Sequence, residues 1–231
     1  MSSTKTATWS ALIKPAKIKL ARLILALLRS EKSFRQKYIR PKNITQATKI
    51  NLCSGAKKLT GYCNIDLVPN ADLIIDLEKK LLPFADDSCE VVICISAINY
   101  FSRDRALAII KDVFRVLKPG GITRFATQDL RLIAQKYVAT DETFFNAKLQ
   151  SGAARFAGET FGDKMNSWFY GYETAGGKHC RYVYDFESLS LLFKKAGFNI
   201  IEQKKYCESR LPQIALIDNR PEQMFFLEAI K

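Results

Sequence analysis

The chain has 231 residues, 48% hydrophobic and 11% aromatic, with a net charge of +13. That length and apolar content fit one α/β domain with a real core and exclude a disordered or fibrous chain. Twelve Lys and Arg face the single acid Glu31 in residues 1–50, so +11 of the charge sits there. The remaining body is nearly neutral, which weighs against a nucleic-acid surface inferred from overall basicity.

Residues 11–32 read ALIKPAKIKLARLILALLRSEK. At 100° per residue, Lys14, Arg22, Arg29 and Lys32 share one side, and Leu12, Ala16, Leu20, Leu23 and Leu27 the other, the pattern of a basic amphipathic helix. The uncharged run Leu23–Leu28 is far short of the roughly 20 residues that span a bilayer. Three placements fit such a segment: packed on the domain, lying on an anionic membrane face as a peripheral contact, or serving as a cleaved organellar presequence. Residues 1–46 therefore form an N-terminal helical segment ahead of a domain at 47–231.

The body alternates strands and helices. KINLC (49–53) is a buried strand ending in the small-residue turn SGAKK. CNIDL (63–67) and ADLIID (71–76) are the second and third strands, and LPFADDSCE (82–90) is a loop. VVICISAI (91–98), rich in β-branched residues, is the central strand. Residues 102–121 form a helix capped by Ser102 and stopped by Pro119, Gly120 and Gly121. ITRFAT (122–127) is a strand, followed by a short helix near 129–138. Residues 139–184, an aromatic insert, lack a clean period. A helix over 185–198, capped by Asp185 and stopped by Gly197, precedes strands at 199–206 and 223–231. This order predicts a Rossmann-like, doubly wound α/β fold with a mostly parallel sheet and an antiparallel C-terminal strand.

In an open sheet of this kind the ligand binds beyond the carboxyl ends of the central strands, where strand order reverses. Asn51–Gly55, Asp66, Asp76 and Ser96–Tyr100 fall there. The strings NLCSGAKKLTGYCNIDLVPNADLIIDL, LPFADDSCEVVICISA and RVLKPGGITRFATQDL resemble a class I S-adenosylmethionine-dependent methyltransferase. More narrowly, they are similar to a short bacterial methyltransferase-domain (type 11-like) group linked to surface-glycan biosynthesis. The resemblance covers roughly residues 47–138.

It implies S-adenosyl-L-methionine as cofactor. Cys53, Ser54 and Gly55, with Asn51 before them, would receive its methionine end. Asp66, with Leu67, would take the ribose diol, and Asp76 the adenine amine, with Leu77 beside the ring. Ser96 and Ala97 would lie under the transferred methyl. His179, the only histidine, is either the general base on an acceptor hydroxyl or an ordinary hydrogen-bonding side chain. Asp129 is either a second base or a helix N-cap. Trp168, Phe169, Tyr170 and Tyr172 form an acceptor wall or the core of a lid.

The expected reaction is O-methylation of a sugar or other small-molecule hydroxyl. Cys53 stands where the usual loop has glycine, Asn99-Tyr100 where the group shows Glu-His, and Gln128 where a proline is common. These departures motivate a second reading, a non-catalytic binding protein on the same fold; RNA modification, favoured by the basic segment, ranks third. None of the six cysteines has CxxC spacing, so no metal site is expected. They read as reduced thiols of a cytoplasmic protein, at the inner membrane face if residues 11–32 touch lipid.

Overall fold

The computed structural model describes residues 46–231 except 57, 150–151, 172–173 and 175–176. The amphipathic segment at 11–32 and Tyr172 lie outside the described residues.

Seven strands form one sheet: β1 (Lys49–Leu52), β2 (Cys63–Asp66), β3 (Leu73–Ile74), β4 (Cys89–Ile95), β5 (Leu117–Gln128), β6 (Ile200–Lys204) and β7 (Met224–Ile230). Their order is β3-β2-β1-β4-β5-β7-β6. All pairings from β3 to β5 are parallel, and β7 runs antiparallel to both neighbours. The order reverses between β1 and β4, which opens a crevice at the carboxyl ends of those strands. The expected Rossmann-like α/β fold is therefore present.

The helices are α1 (Arg103–Val116), α2 (Leu130–Val138), α3 (Glu142–Phe145), α4 (Phe161–Tyr170), α5 (Phe186–Ala196) and α6 (Ile214–Ile217). Ser102 caps α1 by accepting from the Arg105 amide, and Asp185 closes a capping box on α5. Gly197 ends α5 in the left-handed region at φ +113°, the conformation that glycine adopts without a Cβ penalty. Ile109, Ile110 and Val113 of α1 and Leu189, Leu192 and Phe193 of α5 pack with Ile50, Ile65, Val92 and Phe125 on one face of the sheet.

The opposite face lacks a long helix among the described residues. Val91 and Ile93 are covered there by Leu211 and Ile217, with Leu59, Tyr62 and Ile214 packed around them. Arg124, wholly buried on β5, fastens this cover. Its guanidinium donates from Nε to Asp218 Oδ1 at 3.1 Å and from Nη2 to Asp218 Oδ2 at 2.6 Å. It also donates to the carbonyls of Lys205 and Glu208 and sits 5.0 Å from the centroid of Phe226. The bidentate pair, sealed from water, thus ties the connection between β6 and β7 to the sheet.

The structure corrects several boundaries. The helix expected over 102–121 ends at Val116, because Leu117 turns extended and pairs with Cys89. The Lys-Pro-Gly-Gly run is an excursion inside β5, since the register jumps from Cys89↔Leu117 to Val91↔Ile122. Gly120, at φ +78°, donates its amide to the Lys231 carbonyl at 2.8 Å. A Cβ at Gly121 would lie 2.8 Å from the Lys118 carbonyl oxygen, so backbone closeness requires glycine there. The central strand begins earlier and stops at Ile95, because Ser96 turns to φ +62° and Ile98–Tyr100 form a 3-10 turn. The third strand shrinks to two paired residues at the sheet edge. The unpatterned insert contains α3 and α4, which bury Phe145, Phe156 and Phe169 with Ile133 in a separate cluster.

Asp218→Ala would remove the bidentate partner of the buried Arg124 and leave it only the longer ion pair with Glu228 at 3.9 Å. We expect a loss of about 3–5 kcal/mol in folding free energy, read by urea denaturation, with little loss of secondary structure at low denaturant.

Candidate active site

The crevice is built on a shortened first crossover. Only the turn and loop at residues 53–62 connect β1 to β2. Asn64 of β2 replaces a helix as its organiser. The Asn64 Oδ1 accepts from Asn51 Nδ2 at 3.0 Å and from the Leu59 amide at 2.9 Å. Its Nδ2 donates to the carbonyls of Leu59 and Tyr62 and to Asp72 Oδ2. Lys58 pairs with the other oxygen of Asp72. Burial pushes the Asp72 carboxyl upward, but Lys58 and the two Asn64 N–H donors outweigh it and hold it below the ordinary value. Asn51 therefore supports the site from within the sheet.

Asp66 closes the turn. Its Oδ2 accepts from the Gly55 amide at 2.8 Å, and its Oδ1 from the amides of Leu67 at 2.6 Å and Val68 at 3.2 Å. The Ser54 amide donates to the Ile65 carbonyl, while its buried Oγ has no hydrogen-bond partner. Gly55 adopts φ +60°, and a Cβ there would meet nothing within 4 Å. The turn thus faces open space on its outer side. Cys53 is also left-handed, at φ 52°, which is uncommon for a residue with a Cβ. Its thiol is held well above its ordinary pKa, first by the hydrogen bond with the Cys94 thiol and then by burial. It packs as a small apolar group rather than as a nucleophile.

Asp76 and Leu77 follow β3. The Asp76 carboxylate accepts from the Glu78 amide at 3.1 Å and pairs with Lys178 at 3.6 Å and Lys79 at 3.7 Å. The Leu77 side chain is buried in the main core, and its carbonyl accepts from Arg105 Nε. Arg105 and Arg115 of α1 pin the whole connection from β3 to β4: Arg105 Nη2 reaches the Lys80 carbonyl, and Arg115 reaches the carbonyls of Leu82 and Phe84.

At the end of β4, Ser96 Oγ accepts from Arg220 at 2.9 Å, and Arg220 is itself left-handed at φ 52°. Ala97 is buried beside it. The Asn99 carbonyl accepts from the amides of Arg181 at 2.8 Å and Tyr182 at 3.2 Å. The end of the insert is thereby seated over the crevice. Exposure alternates along 178–182, so Lys178, Cys180 and Tyr182 turn inward while His179 and Arg181 are exposed.

Cys53, Ser54, Gly55, Asp66, Leu67, Asp76, Ser96 and Ala97 therefore follow the carboxyl ends of β1 to β4 around one crevice, with Asn51 and the Leu77 side chain buried behind them and His179 exposed on the strap formed by residues 178–182. Asp129 stands apart. It caps α2, its Oδ1 accepting from the amides of Arg131 and Leu132. It lines a cavity of about 270 Å³ with Arg131, Asp185, Phe186, Glu187 and Gln203. Burial lifts its carboxyl above the ordinary value against the pull of those two amides. Of the aromatic wall, Phe169 is buried in the insert's own cluster, and Trp168 packs against that cluster and donates from Nε1 to Gln223; Tyr170 is exposed. Among the described residues no group of three His, Cys, Asp or Glu is placed to hold a metal ion.

Sequence reasoning missed Asn64, Glu78, Lys178 and Arg220. Asn64 sits inside the quoted second-strand motif and was legible as a polar residue in a buried run. Glu78 stands two residues past Asp76, in the same loop after β3, whereas Lys178 and Arg220 meet the crevice only through chain crossings that no local pattern encodes.

Residues 38–125 match the model of a methyltransferase domain family. That segment runs into β5 and contains the crevice residues of β1 to β4. No curated protein matches the chain. Among solved structures, an S-adenosylmethionine-dependent methyltransferase from Mesorhizobium loti is similar at 17% identity, covering 84% of this chain and 95% of its own, with a TM-score of 0.45. One from Archaeoglobus fulgidus shares 12% identity over 88% of this chain and 94% of its own, with a TM-score of 0.46. Likenesses this distant say nothing of substrate.

Asp129→Ala removes the α2 cap, and we expect a loss of about 1 kcal/mol in stability. Asp129→Asn retains the capping oxygen and should melt within a degree or two of the wild type. Differential scanning calorimetry on both variants checks this.

Proposed function

We propose that the chain is an S-adenosylmethionine-dependent methyltransferase that methylates a hydroxyl oxygen of a sugar or other small molecule. The carrying observation is Asp66. It ends β2, one strand from the reversal of strand order between β1 and β4, and it holds the Gly55 amide so that a small-residue turn opens outward beside its own carboxylate. A zwitterionic, diol-bearing cofactor needs that combination: backbone polar groups at close range for the methionine end and a carboxylate acceptor for the ribose.

The crevice residues fit such a cofactor. Ser54 Oγ, buried and without a partner, is a free polar group at the methionine end. Asp66 Oδ2, which accepts from the Gly55 amide alone, retains acceptor capacity for a ribose hydroxyl. Asp76 supplies an acceptor for the adenine amine in exchange for one of its lysines. When bound, the cofactor supplies an electrophilic methyl carbon. The chain's residues orient it and bring the acceptor oxygen in line. His179 is our candidate to take the acceptor's proton, acting from the strap, and Asp129 the alternative. The strap is hydrogen-bonded to the Asn99 carbonyl just beyond Ser96 and Ala97.

Among the described residues no helix is long and apolar enough to cross a membrane. The basic segment at 11–32 is our candidate for a peripheral contact with an anionic lipid surface, consistent with a lipid-linked glycan acceptor at the inner membrane face. One observation favours the non-catalytic reading: Cys53 occupies a left-handed position with its thiol turned to Cys94, where a glycine would let the cofactor approach more closely.

Calorimetric titration of the intact chain with S-adenosylmethionine should give micromolar binding that falls at least about tenfold in Asp66→Ala, as expected for losing hydrogen bonds to a charged group. Incubation with sugar acceptors should then release S-adenosylhomocysteine, detected by mass spectrometry. Binding without product across neutral, acidic and lipid-linked glycans would support the non-catalytic reading. No binding by the folded chain would overturn the cofactor assignment.

A further inference from the structure

The insert sends the Lys178 side chain into the crevice. Lys178 Nζ lies 3.6 Å from Asp76 Oδ1 and 3.5 Å from Glu78 Oε1. It also lies 5.8 Å from the centroid of the Phe101 ring, and it is close enough to Cys53 to bear on that thiol electrostatically. These neighbours come from three different walls: the turn after β1, the end of β3 and the segment after β4. A ligand stretching from the Gly55 turn to Asp76 must cross the space between them. The Lys178 side chain is 22% exposed, so it lies mostly within this enclosure.

Glu78 receives two cations from the strap, Lys178 at 3.5 Å and Arg181 at 3.3 Å. The strap is thus held at its outer edge by Glu78, and at its inner edge by the Asn99 carbonyl. Asp76 is different, because it is both a strap partner and the candidate adenine acceptor. Lys178 pairs with Asp76 Oδ1, which also accepts the Glu78 amide, so an adenine amine received at that oxygen displaces the ammonium.

We propose that Lys178 is a positioning residue of the cofactor site, a latch whose ion pair with Asp76 competes with the cofactor for that carboxylate while its pair with Glu78 is kept. This inference rests on the cofactor reading above. It makes cofactor entry compete with an ion pair carried by the insert, so the element carrying His179 responds to occupancy. No bond is made or broken; one ion pair is exchanged for a hydrogen bond.

The competing pair is partly exposed, so its removal should have a modest effect with a distinctive sign. We expect Lys178→Met to bind S-adenosylmethionine about two- to fivefold more tightly than the wild type by calorimetry. Lys178→Arg, which keeps the cation, should retain wild-type affinity. A merely structural role would weaken binding in Lys178→Met, because damage to the strap loosens the site. Normal wild-type binding with unchanged or weaker binding in Lys178→Met overturns the latch alone. Absence of wild-type binding overturns the cofactor reading and the latch with it.

Discussion

The contact on which the site depends is the hydrogen bond from the Gly55 amide to the Asp66 carboxylate. Among its described residues the connection from β1 to β2 has no helix to stiffen it. A turn so short would otherwise be free to sample other conformations, with Gly55 and Cys53 both held at positive φ. Asp66 collects three backbone amides, from both sides of the crossover. Charge-assisted bonds of this kind are stronger than neutral ones. A single side chain therefore fixes the shape of the turn and presents its own carboxylate beside it.

The rest of the molecule holds that turn in register. Asn64 ties the loop that follows it to Asn51 and Asp72. On one face, α1 carries Arg105 and Arg115, which fasten the long connection before β4 by its carbonyls. On the other face, Arg124 fastens the connection before β7 through Asp218. Buried charges of this sort are costly unless fully paired, and Arg124 is paired in two directions at once. The loops around the crevice are thus held mainly by arginines rooted in regular structure.

The regular elements were legible because their signals are local. The stripe from Ala106 to Val113, the Ser102 cap and the Gly197 stop each act within a few residues, and the structure has all three. The β-branched run around Val91 to Ile95 likewise forms the central strand. Lys-Pro-Gly-Gly misled because the same residues that stop a helix also permit a bulge, and the choice was made by the distant Lys231 and Cys89. The insert was opaque because α3 and α4 are short and bury aromatics among themselves, so no long period develops. The crevice residues of β1 to β4 were legible through strand order alone. Lys178 and Arg220 were not, because they arrive from 82 residues beyond Ser96 and from the far side of the sheet respectively. Asp129 had two readings in the sequence, and the structure displays the cap, with its carboxylate bonded to the first amides of α2.

The central claim is that the turn held by Asp66 is where the cofactor lies. The most direct measurement is an amide chemical-shift titration of the isotopically labelled chain with S-adenosylhomocysteine. The account predicts that the amides of Gly55, Leu67 and Val68, the three that donate to Asp66, move most, with those of β6 and the cavity at Asp129 nearly still. Shifts concentrated around Asp129, Asp185 and Gln203, with the Gly55 turn unmoved, would contradict it.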